Sequence, residues 1–336
     1  MRGSEYTMLV GVTGGTGFIG RHLVTSLVEQ GVHARVLTRR PEILGRLWSK
    51  GDVEPWVGDL TKPETLRDFG RNARVIYHLA GEIRDSSYFD MVNATGTKNL
   101  LEACHDQKLT RFVHLSGVGV IGATGAGVVS ESTPCHPKNA YERSKYAGEQ
   151  VALTAFKKFQ IPVTILRPTI VFGEGRDYDR DSFATWLGAI QKGWFRFVGT
   201  GDSVANYIYV GDVVRACLLL AGADKATGEV YILSDSCLLR AFVGAAAEFL
   251  GVGMPGNLPA GLAYTLAIGF EVAGRIGNFS PPLTVSRVRA LMSRVVYSGD
   301  KLRKELGFSP AVGWRKGLRR TIKWYKQKGL LPLPQP

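Results

Sequence analysis

An α/β fold built on a doubly wound parallel sheet, followed by a smaller and mostly helical C-terminal lobe, is what this sequence predicts. Three observations carry that expectation. Short β-rich runs alternate with helical stretches through the first 170 residues. A glycine-rich turn, Thr13-Gly14-Gly15-Thr16-Gly17-Phe18-Ile19-Gly20, follows the first of those runs and opens an apolar-periodic helix through Phe18, Ile19, Leu23 and Leu27. The length, 336 residues, exceeds the roughly 250–300 at which one core stops growing, so a second, dependent lobe is expected.

In chain order the strands are expected at 7–13, 33–38, 53–57, 75–79, 112–116 and 163–167, with helices between them. Such a βαβ series gives a parallel sheet of the Rossmann type. Past Arg167 the pattern loosens into residues 173–180, rich in Gly, Asp and Arg. Helices punctuated by Met254-Pro255-Gly256 and Ser280-Pro281-Pro282 follow. The expected division is therefore 1–173 for the Rossmann domain, with 204–235 returning to it, and 174–203 with 236–336 for a substrate lobe. No repeat or low-complexity linker separates the two, so they are expected to pack as one unit.

Composition narrows the class. With 45% hydrophobic and 21% charged residues the chain reads as an ordinary globular protein. Cys104, Cys135, Cys217 and Cys237 are too widely spaced for a zinc or redox pair and too few for a disulfide framework, so a reduced, cytoplasmic compartment and no metal are expected. The polar start Met1-Arg2-Gly3-Ser4-Glu5 does not read as a signal peptide. The most apolar later stretch, 258–270, is shorter than the ~20 residues a spanning helix needs; a lobe helix is the plain reading and contact with one membrane leaflet the sharper one.

The net charge of +13 gathers towards the C-terminus, from Arg287 to Lys328. Such a surface attracts phosphates or anionic lipid headgroups, or is simply a solvated helix face. Trp314, Trp324 and Tyr325, interleaved with these charges, read as packing anchors, and nucleic acid is set aside as a partner.

The glycine turn carries the first piece of chemistry. Gly14, Gly17 and Gly20 allow a tight turn, close approach of backbone to a pyrophosphate, and close packing of the following helix, whose amino end favours negative charge. Gly15, Gly17 and Gly20 satisfy the tighter spacing as well. The end of the second strand selects the dinucleotide: a carboxylate there would accept the adenosine ribose hydroxyls, whereas arginine meets a 2′-phosphate. The residues are Thr38-Arg39-Arg40, which predicts NADP(H) in preference to NAD(H). Asp59, after the third strand, is then placed to touch the adenine.

Tyr141 and Lys145 carry the second piece. Residues four apart share a helix face, so the ammonium can stabilise the phenolate and bring a group that titrates near ~10 towards the working range of a general acid/base.

Together with His78-Leu79-Ala80-Gly81, Asn93, Gly96-Thr97-Lys98-Asn99, Leu166-Arg167-Pro168, Phe172-Gly173, Val210-Gly211-Asp212-Val213 and the run 301–307, these motifs resemble the extended short-chain dehydrogenase/reductase family, the NAD(P)-dependent epimerase/dehydratase group. The resemblance covers nearly the whole chain. It implies Tyr141 as general acid/base, and Lys145 as the residue that binds the nicotinamide ribose and lowers the tyrosine pKa. It implies a cofactor lined by Gly14, Gly15, Thr16, Gly17, Phe18, Ile19, Gly20, Arg39, Arg40, Asp59, Leu60, Leu79, Ala80, Gly81 and Asn99, with Arg167-Pro168-Thr169 beside the nicotinamide. A homodimer through the helices that flank the active-site strand is common in the family.

One position departs from the family pattern. Paired hydroxyl residues usually follow the fifth strand, the second polarising the substrate oxygen; here Ser116 is followed by Gly117. Losing such a donor costs on the order of 10²–10³ in rate. Either Ser116 takes the role through a local shift, or a water does, or the site is weakened.

Members acting on nucleotide sugars often carry asparagine three residues after the arginine of the Arg-Pro segment, where this chain has Ile170. That resembles the branch acting on ketones and hydroxyls of apolar molecules such as steroids and flavonoids. Trp186, Trp194, Phe195, Phe197 and Tyr207 line a pocket on one reading and form lobe core on another. Three functions stand: an NADP-dependent oxidoreductase acting on a small-molecule hydroxyl or ketone, a nucleotide-sugar epimerase or dehydratase with transient hydride transfer, and a non-catalytic NADPH-binding structural or sensor protein.

Overall fold

The computed structural model describes residues 8–49, 51–122, 125, 127–175, 182–277 and 283–331. Expectations placed on residues 1–7, 176–180 and 280–282 therefore lie outside the described residues. In chain order the elements are β1 (Leu9–Thr13), α1 (Phe18–Glu29), β2 (His33–Thr38), α2 (Leu44–Leu47), β3 (Val53–Val57), β4 (Ala73–His78), α3 (Gly96–Ala103), β5 (Arg111–Leu115), β6 (Gly127–Val129), α4 (Ala140–Phe159), β7 (Val163–Pro168) and β8 (Ile170–Phe172). They continue with α5 (Ser182–Gln191), β9 (Phe197–Val198), β10 (Val204–Ala205), β11 (Tyr207–Tyr209), α6 (Val210–Gly222), β12 (Val230–Leu233), β13 (Cys237–Leu238), α7 (Leu239–Leu250), β14 (Asn257–Leu258), α8 (Ala260–Gly277), α9 (Val285–Leu291), β15 (Val295–Tyr297), α10 (Asp300–Leu306) and α11 (Gly313–Gln327).

Seven strands form one sheet in the order β12-β7-β5-β4-β1-β2-β3, and every neighbouring pair is parallel. The strand order reverses direction between β1 and β4. A crevice therefore opens beyond the paired ends of those strands, Thr13 and His78. Five of the six expected strands match to within two residues at their ends; the first begins at Leu9 among the described residues.

Both faces of this sheet are covered, which is why its strands are apolar in both phases of the pleat. Val75, Tyr77, Val113, Leu115 and Leu166 pack with Leu23, Val24 and Leu27 of α1 and with Val213, Val214 and Leu220 of α6. Ile76, Phe112, Val163 and Ile165 join Leu100 and Leu101 of α3 and Ala152 and Ala155 of α4 on the other side.

Helix α4 positions the chemistry. The Asn139 side chain accepts from Glu142 N while the Glu142 side chain returns to the Asn139 backbone, a reciprocal cap worth about 1 kcal/mol. Its buried stripe is made of Ser144, Lys145, Gly148, Glu149, Ala152 and Ala155. The small residues let the helix lie close to the preceding π-helical turn, Met91–Thr95: a Cβ on Gly148 would sit 2.3 Å from the Asn93 carbonyl oxygen.

The second lobe has its own core. Phe183, Phe195, Phe197, Phe242 and Tyr325 are buried there together with Phe172 from β8, with Trp186, Trp314, Trp324 and, from β11, Tyr207 packed against them. Tyr207 and Phe242 stack with centroids 4.6 Å apart. Trp186, Phe195, Phe197 and Tyr207 are thus lobe core; Trp194 is not, being 73% exposed with the Lys192 ammonium over its ring. Buried Asp212 joins α6 to the start of α11, accepting from Ala311 N at 2.8 Å and Gly313 N at 2.9 Å. Among the described residues no helix is long and apolar enough to cross a membrane.

Candidate active site

The glycine turn is held in shape by contacts that only hydrogen can make. Gly14 has φ +69°, and a Cβ there would lie 2.6 Å from Ala80 N; one on Gly20 would lie 2.0 Å from the Gly14 oxygen. Gly17 N donates to Gly14 O at 2.9 Å. Gly17 itself is exposed, and the amino end of α1 has neither a side-chain cap nor an acidic residue in its first turn. An exposed, uncapped helix amino end behind a turn stripped of side chains suits the pyrophosphate of a dinucleotide. Thr16, Phe18 and Ile19 lie on its partly exposed rim.

Across β2 and β3 lies a charged corner. Arg39 and Arg40 are exposed, and Arg39 Nη1 stands 3.9 Å from Asp59 Oδ2. Burial alone would raise the Asp59 carboxyl, but bonds from Thr61 and the charges of Arg39 and Lys62 outweigh it and hold the group below the usual range. Asn99 is occupied in supporting this corner, its Nδ2 donating to Leu60 O at 2.8 Å.

Above the other half of the sheet, α4 sets Tyr141, Lys145 and Glu149 at successive four-residue steps. The Lys145 ammonium is buried and donates to the Leu115 carbonyl at 2.8 Å. Burial pulls it down to about 8, with Glu149 opposing. A Cβ on Gly81 would come within 3.7 Å of Lys145 Nζ, so Gly81 borders the same spot. The Tyr141 ring meets Phe89 edge-on at 5.5 Å. Burial pushes its phenol above the ordinary value, whereas the sequence argument expects Lys145 to lower it: here the ammonium is bonded to Leu115.

Ser116 and Thr169 each follow directly on one of the adjacent strands β5 and β7. Both side chains are buried, and neither Ser116 Oγ nor Thr169 Oγ1 has a hydrogen-bond partner. Unmade bonds of this kind cost about 1–3 kcal/mol each, so two at one strand end mark a place where a ligand oxygen can complete them. Gly117 between them leaves room, since a Cβ there would meet nothing nearer than Pro168 O at 3.8 Å.

A buried polar chain, built from motif residues whose mutual bonds the sequence argument did not foresee and from Ser144, ties the two halves together. Thr97 Oγ1 donates to Asn93 O at 2.7 Å, so it accepts from His78 Nε2 at 2.9 Å, which leaves His78 Nδ1 to accept from Thr13 Oγ1 at 2.7 Å. Burial first, and Lys145 second, pull His78 down to about 3, so the ring is neutral. Asn93 Nδ2 then donates to Ser144 Oγ at 2.9 Å, and Ser144 Oγ to Tyr141 O at 2.8 Å. The Arg167 side chain is engaged by Glu149. Its Nε donates to Glu149 Oε1 at 2.9 Å and its Nη2 to Glu149 Oε2 at 2.5 Å. Glu149 was missed by the sequence argument; its signal is its place one turn beyond Lys145 on the same helix stripe.

The structure thus sets Gly14 against Leu79 and Ala80, Gly81 beside Lys145, and Lys145 on the carbonyl of Leu115 that precedes Ser116, with Arg39 and Asp59 paired beyond β2 and β3. The model of the NAD dependent epimerase/dehydratase family matches residues 10–234. A 3beta-hydroxysteroid-dehydrogenase/decarboxylase of Arabidopsis thaliana is 30% identical over 93% of this chain and 78% of its own length. A 4-hydroxy-2-methyl-3-oxo-4-farnesyl-3,4-dihydroquinoline-1-oxide ketoreductase of Stigmatella aurantiaca is 30% identical over 91% of this chain and 93% of its own. Among solved structures, a UDP-glucuronic acid 4-epimerase from Bacillus cereus in complex with NAD superposes with a TM-score of 0.73 at 23% identity, covering 96% of this chain and 99% of that one; at that identity the likeness is one of fold.

Proposed function

Because the chain belongs to the NAD dependent epimerase/dehydratase family, within the extended short-chain dehydrogenase/reductase enzymes, we propose that it is an NADP-dependent oxidoreductase acting on a hydroxyl or ketone carbon of a small, apolar molecule. Ile170 carries this reading: beside Thr169, at the position where nucleotide-sugar enzymes place asparagine, it presents a 56% exposed apolar side chain. The similarity to a hydroxysteroid dehydrogenase and a ketoreductase supports the same branch.

The bound nicotinamide would supply or accept the hydride. The chain's residues do the rest. In reduction, the Tyr141 phenol, kept protonated by burial, gives its proton to the substrate oxygen as that oxygen gains the electron pair of the former C=O bond. Ser116 Oγ donates a second hydrogen bond to the oxygen. Lys145, anchored on Leu115, holds ribose hydroxyls and stabilises the phenolate that remains. Oxidation runs these transfers backwards. Arg39 and Arg40 would meet a 2′-phosphate, which supports NADP over NAD, with the Arg39–Asp59 contact opening to admit it.

The family's own range supports a second reading, a nucleotide-sugar epimerase or dehydratase that returns its hydride. Native mass spectrometry of freshly purified protein, followed by NADPH and NADH titration and a turnover screen with hydroxysteroids, ketosteroids and flavonoid ketones, separates the two. Protein that is free of dinucleotide, binds NADPH more tightly and oxidises or reduces one of these substrates with net change in nicotinamide absorbance bears out the proposal. A dinucleotide retained through purification, with no net absorbance change during turnover of a nucleotide sugar, overturns it.

A further inference from the structure

Helix α8 presents an apolar face that nothing among the described residues covers. Ala263 and Ala267 are fully buried against Val198 and Val288, with Tyr264 alongside. The rest of its circumference carries Leu262 at 49%, Leu266 at 41%, Ile268 at 55% and Val272 at 51% exposure, with Phe270 at 38% on the flank of the buried stripe. Glu271, the sole acidic or basic residue between 260 and 274, is partly buried, and its Oε1 accepts from Val285 N at 2.9 Å. Thr265, the remaining polar side chain apart from Tyr264, turns its hydroxyl back onto the Gly261 carbonyl at 3.1 Å. An ordinary surface helix carries charged residues on its exposed surface. Five half-exposed side chains amount to roughly 400 Å² of apolar surface, the size at which a patch marks an interaction site.

Charge decides what covers it. The neighbouring helix α9 packs on α8 through Val288, and the residues flanking Val288, Arg287 and Arg289, are exposed; Arg294 follows, also exposed and 3.7 Å from Asp202, on a chain of net charge +13. A second copy across a two-fold axis would bring these arginines towards their own equivalents, and ~400 Å² falls well short of the ~800 Å² per partner of a stable dimer. A surface of anionic lipid meets both demands at once. We propose that α8 lies in the plane of an anionic lipid leaflet, its apolar side chains at the boundary of headgroups and acyl chains and the α9 arginines on lipid phosphates. The helix does not cross. This docking is independent of the reaction proposed above.

Flotation of the full chain with vesicles of phosphatidylcholine alone, or of phosphatidylcholine with phosphatidylglycerol, tests it. The expected result is co-flotation with the anionic vesicles, weaker by about tenfold or more on phosphatidylcholine or at high salt. It should be lost in Leu266→Glu/Ile268→Glu and weakened in Arg289→Glu, with melting temperatures unchanged because these three side chains are exposed. A chain that stays behind with both vesicle types, or that floats equally well with the double glutamate variant, overturns the proposal. So does a dimer, seen by light scattering without lipid, that the glutamate pair dissociates.

Discussion

The Lys145 ammonium and the Leu115 carbonyl oxygen are 2.8 Å apart, which pins the one fully buried cation of α4 to the end of the strand that leads into Ser116. Burial holds this ammonium near 8, against an ordinary 10.5. A lysine whose folded value is depressed gives the protein stability above the unfolded value and withdraws it as pH falls through the folded one. The wild type therefore bears the cost in full below about pH 8.

Lys145→Met should accordingly be inactive yet more heat-stable at pH 7. The depression corresponds to roughly 3 kcal/mol, of which the lost bond to Leu115 takes back about 1. The gain over wild type should shrink as pH rises from 8 towards 10.5. Paired thermal melts at pH 7 and pH 10 measure it, and an equal gain at both would assign the effect to packing rather than charge.

Tyr141→Phe should lower turnover by about 10²–10⁴ while leaving NADPH affinity within a few-fold. The phenol hydroxyl is what the proposed proton transfer needs, whereas the ring against Phe89 survives the change. In the wild type, the raised phenol should make oxidation gain with pH on the alkaline side and reduction hold up towards neutrality. Single-turnover kinetics in both directions, alongside cofactor titration, resolve these terms.

Arg39→Ala should weaken NADPH by about tenfold or more and NADH hardly at all, because the second cofactor lacks the phosphate that the guanidinium would meet. The same change frees Asp59, whose carboxyl is held low in part by Arg39. Calorimetric titration with both dinucleotides gives the ratio, and equal losses would remove Arg39 from the 2′-phosphate.

Much of this arrangement was legible in the sequence because it is local. The glycine turn, the i,i+4 pair of Tyr141 and Lys145, and strands β2 and β3 each declare themselves within one element. What was not legible depends on strand register and on the sheet's order. Thr13 and His78 become partners only because β1 and β4 end side by side. Glu149 becomes the partner of Arg167 only because α4 packs on β7. The two-residue strands of the second lobe, such as β9 with β14, have too little length for any alternation to appear.

The unpartnered hydroxyl of Ser116 gives the sharpest test of how the site copes with Gly117. Ser116 Oγ makes no protein hydrogen bond, so Ser116→Ala removes no structural contact and should fold with its melting temperature intact. If that oxygen is the donor to the substrate, the variant should lose about 10²-fold in kcat. Gly117 has φ 179° and ψ 159°, an extended geometry open to any residue, and a Cβ there has ordinary room beside Pro168 O. Gly117→Ser should therefore fold to within about 0.5 kcal/mol of the parent. Placed on the Ser116→Ala background, it should restore part of the lost rate by putting a hydroxyl at the second position of the pair. Recovery of kcat with KM unchanged would show that the donor, and not the residue that carries it, is what the reaction needs. A Ser116→Ala enzyme with undiminished kcat would show instead that the buried hydroxyl plays no part, and Thr169, the other unpartnered hydroxyl at this strand end, would take its place as the group to replace.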